Sequence, residues 1–401
     1  MSRKVKDGLL NGITYLSALL GVMILGSILV YVFVNGFKLI NIDLLKNDYW
    51  SKNYLVAVGA NSSEVYSCDD CVGYFSSKWG ISFIDEVTSH KEQVISVEYI
   101  SPGSPFENLT SLTAGETYGM KVPMESGYMI EKIDYTDANG NAAIGGKILK
   151  QDAKQLQESL DNANAITSIY MKSPGGGIRG SLIATLYLIL ISLIISLPMG
   201  IASAIYLNEY ADKSKINKMI RQGIETLTGV PSIVYGLMGV SVLFPVTTVF
   251  GATGTSILLG GLTMAIILLP TIIRSVEEAL IVVPQSLRDA SLSLGATKSQ
   301  TIFKVVLPCC MNGILTGVLL SIGRVIGESA ALIYTMGTFI SDNPVINGPA
   351  TSLSLMIWSF MSAEQPNFEL ACAISIIILA VVLLLNIIVK IIGKKLSKNF
   401  V

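Results

Sequence analysis

The sequence predicts an all-α polytopic membrane protein with six transmembrane helices and a small α/β domain inserted between helices 1 and 2. Three observations predict it. Over 401 residues, 51% are hydrophobic and only 14% charged, with a mean hydropathy of +0.58, too apolar for an ordinary soluble protein. Six apolar runs reach the length of about 20 residues that a bilayer crossing needs. One long polar interval, from Asn35 to about Gly177, separates the first run from the other five. The chain therefore reads as 1–36 (tail and first span), 37–177 (inserted domain) and 178–401 (five spans and their loops).

The first run, Leu16–Val34, follows Arg3, Lys4 and Lys6. It is longer than a signal-peptide core and no A-x-A-like site follows it, so it reads as a retained span. The others are Leu182–Leu207, Ile224–Phe250, Ile257–Ile273, Gly313–Ile340 and Leu370–Ile392. Pro231 interrupts the third span and is expected to kink it or to expose backbone groups there. Six spans put both ends on one side. Lysine and arginine choose the side: they lie ahead of span 1, in the 2–3 connection (Lys213, Lys215, Lys218, Arg221), in the 4–5 connection (Arg274, Arg288, Lys298, Lys304) and at the C-terminal end, whereas 251–256 and 341–369 hold none. By the positive-inside rule the termini are cytoplasmic and the polar block is extracytoplasmic. Twelve basic residues between spans 1 and 2 do not oppose this, because long translocated domains escape the rule.

Five cysteines follow two patterns. Cys309, Cys310 and Cys372 lie in or beside apolar runs and read as packing residues. Cys68-Asp-Asp-Cys71 lies in the polar block. One C-x-x-C with no second pair is half a zinc site at most, and the lone His90 reads as a surface residue. No metal or other cofactor is expected. An extracytoplasmic block leaves a Cys68–Cys71 disulfide open.

The 4–5 connection, Arg274 to Pro308, is long enough to need structure of its own. Pro284 marks a helix start or break, Ser286 to Asp289 has capping-box form, and Leu287, Ala290, Ser291 and Leu294 follow at helical spacing. Gly295 suits a left-handed cap. A second helix is expected from Lys298 to Leu307, stopped by Pro308. On pattern alone this is either a docking knob or a solvated linker.

Span 5 contains Gly323-Arg-Val-Ile-Gly-Glu-Ser329. An ionisable residue deep in a bilayer costs about 2.5–3.5 kcal/mol on insertion scales. Arg324 and Glu328 are i,i+4, so on a continuous helix they share a face and can pair. Ser321 and Thr335 extend that stripe, opposite Leu319, Ile322, Ile326 and Ile333. Gly323 and Gly327 form a G-x-x-x-G that lets another helix approach. Such a helix lines a pore or locks packing with a self-neutralising pair. Arginine suits an oxyanion, because its planar fork stays protonated and gives two parallel hydrogen bonds.

Two resemblances bear on these readings. The loop is similar to the coupling motif of ABC importer permeases, E-A-A-x3-G-x9-I-x-L-P, which here reads Asp289-Ala290-Ser291, Gly295, Val305, Leu307, Pro308. In that family the loop inserts into a cleft of the ATPase subunit. VPSIVYGLMG (230–239), LPTIIRSVEEAL (269–280), SLGATKSQTIFKVVLP (293–308) and GILTGVLLSIGRVIGESAAL (313–332) together resemble the PstA-type permease of the phosphate-specific ABC transporter over roughly 175–400. The family has Gly-Glu-Thr-Ala-Pro-Leu where this chain has Gly327-Glu328-Ser329-Ala330-Ala331-Leu332. Losing the proline removes an expected helix break. The resemblance implies a phosphate path with Arg324, Glu328, Ser321 and Thr335, in which phosphate displaces the Glu328 carboxylate from Arg324 and is later expelled by it. It also implies as partners a PstC-type sister permease, two ATPase subunits and an extracytoplasmic phosphate-binding protein, in a bacterial cytoplasmic membrane. The chain has no G-x-x-x-x-G-K-[ST] loop of its own, and Gly145-Gly-Lys147 lacks that context. It is expected to be a permease and not an enzyme.

The polar block is long for that family, and the interval between spans 1 and 2 carries 18 acidic against 12 basic residues, net −6. That is a solvated surface and not a phosphate funnel. Lys78-Trp-Gly-Ile-Ser-Phe83, a strand at Val94–Ile100, a strand at Tyr128–Asp134, a helix at Ala153–Ala163 and a strand at Ala165–Met171 resemble a PDZ domain around 72–172. There the loop Gly80-Ile81-Ser82-Phe83 would offer backbone N–H groups to a peptide carboxylate. Ile84–Gln93 and Leu109–Gly127 depart from that pattern, and Ser173-Pro-Gly-Gly-Gly177 reads as a flexible exit. The competing functions are an importer of another tetrahedral oxyanion and a membrane-tethered PDZ-like scaffold. An intramembrane protease lacks H-E-x-x-H and G-x-S-x-G motifs, and no nucleic-acid partner is expected.

Overall fold

A computed structural model describes residues 3–59, 65–68, 71–88, 92–113, 118–212, 214–363 and 366–398. His90 lies outside the described residues. The chain divides into two compact units, Ile42–Arg179 on one hand and Met1–Asn41 with Gly180–Val401 on the other.

In the apolar unit, the first helix α1 (Arg3–Gly36) has none of its apolar window buried. That is expected of a helix whose solvent is lipid. At its end Gly36 abuts backbone of the last helix: a Cβ there would stand 2.6 Å from the Ala373 nitrogen.

The polar unit contains α2 (Ile42–Lys46) and nine strands: β1 (Asn53–Ala57), β2 (Tyr74–Ser76), β3 (Ile81–Val87), β4 (Gln93–Ile100), β5 (Leu109–Ser111), β6 (Lys121–Val122), β7 (Met129–Asp137), β8 (Ala142–Gly145) and β9 (Ala163–Lys172), with α3 (Ala153–Asp161) before β9. The strands form one antiparallel sheet, ordered β2-β3-β4-β7-β9-β1-β5-β6, with β8 paired to β7. The excursion expected at Ile84–Gln93 is instead the far half of β3 and its turn towards β4. α3 starts with a capping box, Asp152 against Gln155, and buries Ala153, Leu156 and Leu160. They join Trp79, Phe83, Phe106 and Ile133 in the core. The Trp79 indole N–H donates to the Leu160 carbonyl at 2.8 Å, so the largest buried ring leaves no polar atom unpaired.

The second part of the apolar unit runs α4 (Arg179–Ile205) into a π-helical turn (Tyr206–Tyr210), α5 (Lys215–Thr228), α6 (Ser232–Met238), a second π-turn (Gly239–Leu243), α7 (Phe244–Val249) and α8 (Ile257–Val282). There follow α9 (Gln285–Ser293), α10 (Lys298–Thr301), a third π-turn (Ile302–Val306), α11 (Leu307–Cys309), α12 (Met311–Gly327), α13 (Ala330–Thr335), α14 (Leu353–Met361) and α15 (Phe368–Lys398). Among the described residues five helical stretches are long and apolar enough to cross a membrane. A sixth results if Lys298–Cys309 and Met311–Gly327, bent by 65°, count as one. α8 is the central helix: 67% of its apolar window is buried, against 33% or less for the other straight spans.

Three expected boundaries shift. The third span begins at Ser232, not Ile224. Pro231 is extended (φ −58°, ψ 136°), so the chain breaks there instead of kinking, because proline lacks the N–H that would continue the ladder. The fourth span continues to Val282. The fifth ends at Gly327, not Ile340.

Glu98 ties the start of the polar sheet together. Its carboxylate accepts from the Val72 and Gly73 amides (2.8 and 2.7 Å) and from the Ser82 hydroxyl (2.7 Å). Burial works against the charge, but these three donors outweigh it and hold the carboxyl below the usual carboxylate range. A depressed folded pKa gives stability that is present above the unfolded value of about 4.3 and is lost as pH falls through the lower folded one. Glu98→Gln is expected to speed hydrogen exchange of the Val72 and Gly73 amides about tenfold at pH 7, the loss of roughly 1.4 kcal/mol of charge-assisted bonding. Acidification through the folded pKa should reproduce that in the native chain, after correction for intrinsic exchange.

Candidate functional site

The charged segment of α12 sits at a helix break. Glu328 leaves the helix (φ −79°, ψ 130°), Ser329 follows, and α13 starts at Ala330. The break forms without the proline whose loss was expected to remove it. The reason is local: the Glu328 Oε1 accepts the Ala331 N–H at 3.3 Å, and its carbonyl accepts the Ser354 hydroxyl of α14 at 2.6 Å. A carboxylate at a helix N-terminus is satisfied by amides the helix cannot pair itself.

The expected single-faced stripe is therefore corrected. Arg324 and Glu328 are not on one helix. Among the described residues the Arg324 guanidinium forms no ion pair, with Glu328 or any other carboxylate, and its Nε is buried without a hydrogen-bond partner. Both side chains are half-buried. Ser321 and Thr335 are sealed at 0% exposure, and each hydroxyl donates to its own helix, to Gly317 at 2.8 Å and Ala331 at 3.1 Å. In this conformation they pack and do not line an opening. Ile322 and Ile326, placed on the opposite face, are buried as well.

The glycines also change roles. A Cβ at Gly323 or Gly327 would meet nothing within 4 Å, so that pair packs no helix of the described chain. The close approach is made nearly three turns earlier: Gly313 lies against Ala279, and Gly317 would bring a Cβ 3.0 Å from the Ser275 Oγ, seating α12 on α8. Ser275 Oγ donates to the Gly313 carbonyl at 3.2 Å. On the far side Gly236 lets α6 reach the Ala331 backbone, where a Cβ would stand 2.8 Å from its carbonyl oxygen. Gly239 similarly touches Thr263 and Thr335. Sequence reading missed Gly236 and Gly239, whose only signal was their place in the 230–239 motif. Arg324 is within electrostatic reach of Tyr235 on α6, whose hydroxyl donates to the Leu227 carbonyl at 2.8 Å across the Pro231 break.

The loop between the fourth and fifth spans forms two helices as expected, with different punctuation. α9 begins after Pro284 with no side-chain cap, so Ser286 and Asp289 make no capping box, and Asp289 accepts from Gln285 at 3.1 Å instead. The box is found at α10, between Thr297 and Gln300. Gly295 is left-handed (φ 84°), as expected. The second helical stretch ends at Cys309, one residue past Pro308, and the chain bends by 65° at Cys310, close to the stop expected there. Ser291 and Thr301 hydroxyls join α9 to α10 at 2.9 Å. Asp289, Ala290 and Gly295 are exposed, Val305, Leu307 and Pro308 half-buried. Leu287, Leu292 and Leu294 stand 41%, 46% and 90% exposed, apolar side chains presented outward on a helix that the chain itself leaves uncovered.

In the polar unit Cys68 and Cys71 are joined by a disulfide. The carboxylate-loop reading of Gly80, Ile81, Ser82 and Phe83 is corrected. β2 pairs along that edge, Ser76 with Ile81, Phe75 with Ser82 and Tyr74 with Phe83, so the chain's own strand takes the backbone groups a peptide would use. Gly80 is required (φ 66°), and a Cβ there would also strike the Tyr66 ring at 2.8 Å. Of the three free cysteines, Cys310 and Cys372 are buried packing residues, whereas Cys309 is exposed.

Residues 196–399 match the family described as "Binding-protein-dependent transport system inner membrane component". A Bacillus subtilis protein named probable ABC transporter permease protein YqgI is 34% identical over 244 residues, 56% of this chain and 82% of its own length. The phosphate transport system permease protein PstA of Pasteurella multocida is 34% identical over 232 residues, 57% of this chain and 81% of its own. Among solved structures, an inward-facing MetNI methionine ABC transporter chain aligns over 56% of this chain and 95% of its own, at 19% identity and a TM-score of 0.41.

The glycine roles separate under substitution. Gly313→Leu is expected to lower thermal stability in detergent by the overpacking cost of about 1–3 kcal/mol. Gly323→Leu should stay within about 0.5 kcal/mol, as an open position does. Equal effects would refute the assignment.

Proposed function

The chain belongs to the family of binding-protein-dependent transport system inner membrane components, and from that membership we propose that it is the permease half of a phosphate path in an ATP-driven importer. The family carries an ATPase, a substrate-binding protein and a membrane as its setting, and ATP hydrolysis belongs to the partner. In our reading the partners are a PstC-type sister permease, two ATPase copies, one of which docks on residues 289–295 of this chain, and an extracytoplasmic phosphate-binding protein. Both termini are cytoplasmic and the polar unit is outside, which the Cys68–Cys71 disulfide supports, since such bonds persist in oxidising compartments.

The phosphate assignment is carried by the likeness to a PstA permease over 81% of that protein's length. The geometry supplies its chemistry. Arg324 lies in the last turn of α12, its guanidinium unpaired by any carboxylate among the described residues, and an oxyanion arriving at the break would find its fork free to bind. Glu328 does not neutralise it in this conformation. It is held by α13 and α14 and becomes a competitor for Arg324 only if that anchorage opens, so the swap between carboxylate and phosphate belongs to a rearranged state. Arg324 and Glu328 remain the path residues we propose. For the polar unit, a PDZ-like sheet with its groove filled by β2 is our reading.

Arg324→Gln is expected to reduce phosphate uptake into vesicles carrying the assembled importer at least a hundredfold, about 2.7 kcal/mol at a step that depends on a charge-assisted contact. Wild-type uptake by this variant sinks the assignment. Sulfate or molybdate stimulating ATP turnover in place of phosphate would redirect it to another tetrahedral oxyanion.

A further inference from the structure

The π-turn that closes α4 is gripped from three directions, and two of the grips come from the coupling loop. Arg288, on the inward side of α9, donates to Glu209 through Nη2 (Oε1, 2.7 Å) and Nε (Oε2, 3.4 Å). The same guanidinium reaches the Val283 and Leu280 carbonyls at the end of α8, at 2.7 and 3.0 Å. Its side chain is 13% exposed and that of Glu209 is 9%. Lys298, the first residue of α10, stands 4.9 Å over the Tyr210 ring. From α5, Arg221 donates to the Leu207 carbonyl at 2.6 Å and pairs with the buried Glu277 of α8. A cleft of about 400 Å³ opens beside the Arg288–Glu209 pair, at the α8–α9 junction.

α9 thus has two faces with different tasks. Its leucines point outward, and its arginine holds the foot of a transmembrane helix. A buried, forked ion pair with all its carbonyl contacts made is stiff, because breaking it strands a charge. A π-turn is the place in a helix most able to change its winding. We propose that Glu209 is a positioning residue: through Arg288 it carries displacement of α9, imposed by the ATPase, to the π-turn Tyr206–Tyr210 and so to α4. The proposal rests on the reading of the chain as an ATP-driven permease, and not on the identity of the transported anion.

The test uses the assembled importer in vesicles. Glu209→Gln should still co-purify with the ATPase, since the outward face of α9 is intact, while phosphate moved per ATP hydrolysed falls about tenfold. Glu209→Asp, which keeps a carboxylate for Arg288 and leaves Arg288 on the Val283 and Leu280 carbonyls, should keep at least half of the ratio lost in Glu209→Gln, which a merely structural loss would not. Hydrogen exchange gives a readout independent of substrate. On trapping with ATP and vanadate, protection should change together at 206–210 and 285–293 in the native chain, and only at 285–293 in Glu209→Gln. If Glu209→Gln does not assemble, Tyr210→Leu, which keeps the buried pair, is expected to lower the ratio two- to fivefold. A ratio within twofold of native in Glu209→Gln, an unchanged ratio in Tyr210→Leu, or joint protection persisting in Glu209→Gln overturns the proposal. A native complex that ignores phosphate yet shows joint protection refutes the phosphate assignment and upholds the linkage.

Discussion

Inside a bilayer each backbone N–H and C=O must find its partner within the protein, and the apolar unit is arranged around the places where its helices fail to supply one. At the Pro231 break the Tyr235 hydroxyl reaches back to the Leu227 carbonyl. At the Glu328 break a carboxylate meets the Ala331 amide, and Ser354 meets the Glu328 carbonyl. The start of α14 takes its partner from Thr185 of α4, with the Leu353 amide 2.9 Å from the hydroxyl. The amides that open α8 go to carbonyls of Thr335, Gly348 and Ile346. Each interruption in a helix is thereby a contact with another helix. The breaks hold the unit together as well as opening it.

This constraint accounts for the state of Arg324. A guanidinium in such surroundings would ordinarily be expected to hold its nearest carboxylate. Here the nearest in sequence has a competing claim, the free amides of a helix start, and that claim wins. The arginine is left with charge to offer. The packing glycines serve the same end. Gly313 and Gly317 bring α12 onto α8, and Gly236 and Gly239 bring α6 and its π-turn onto α13, so the two segments that meet at the break are braced from both sides. Gly323 and Gly327 stay on an open face. At the foot of α4 the long-range polar contacts concentrate on one short π-turn, where Arg221, Arg288 and Lys298 converge from three segments of the chain.

Much of this was legible from residue order. The apolar runs announced the spans, Gly295 announced the turn between α9 and α10, and the spacing from 285 to 307 announced two short helices in that loop. Of the polar unit's strands, β4, β7 and β9 were legible, and α3 followed from its apolar spacing. Several readings failed for a common reason. Ser286 and Asp289 have the form of a capping box, but Pro284 starts the helix two residues too early for it. The i,i+4 spacing of Arg324 and Glu328 implies a shared face only if the helix continues, and Glu328 itself ends it. The glycine loop 80–83 has the form of a peptide cradle, but the strand that fills it comes from just upstream. In each case the local pattern was compatible with two structures, and contacts elsewhere chose between them.

The sequence by itself determined the membrane class, the two kinds of unit, the helical loop between the fourth and fifth spans and the presence of an arginine where lipid would not tolerate one, because hydrophobicity, helical period and charge are properties of residues and their spacing. Only the tertiary structure decided which carboxylate Arg324 lacks, which glycines are closed and which open, that β2 occupies the sheet edge, and that Glu209 answers Arg288 across 79 positions. Those outcomes depend on which groups of distant segments reach one another first, a competition for partners in space that no window along the chain contains.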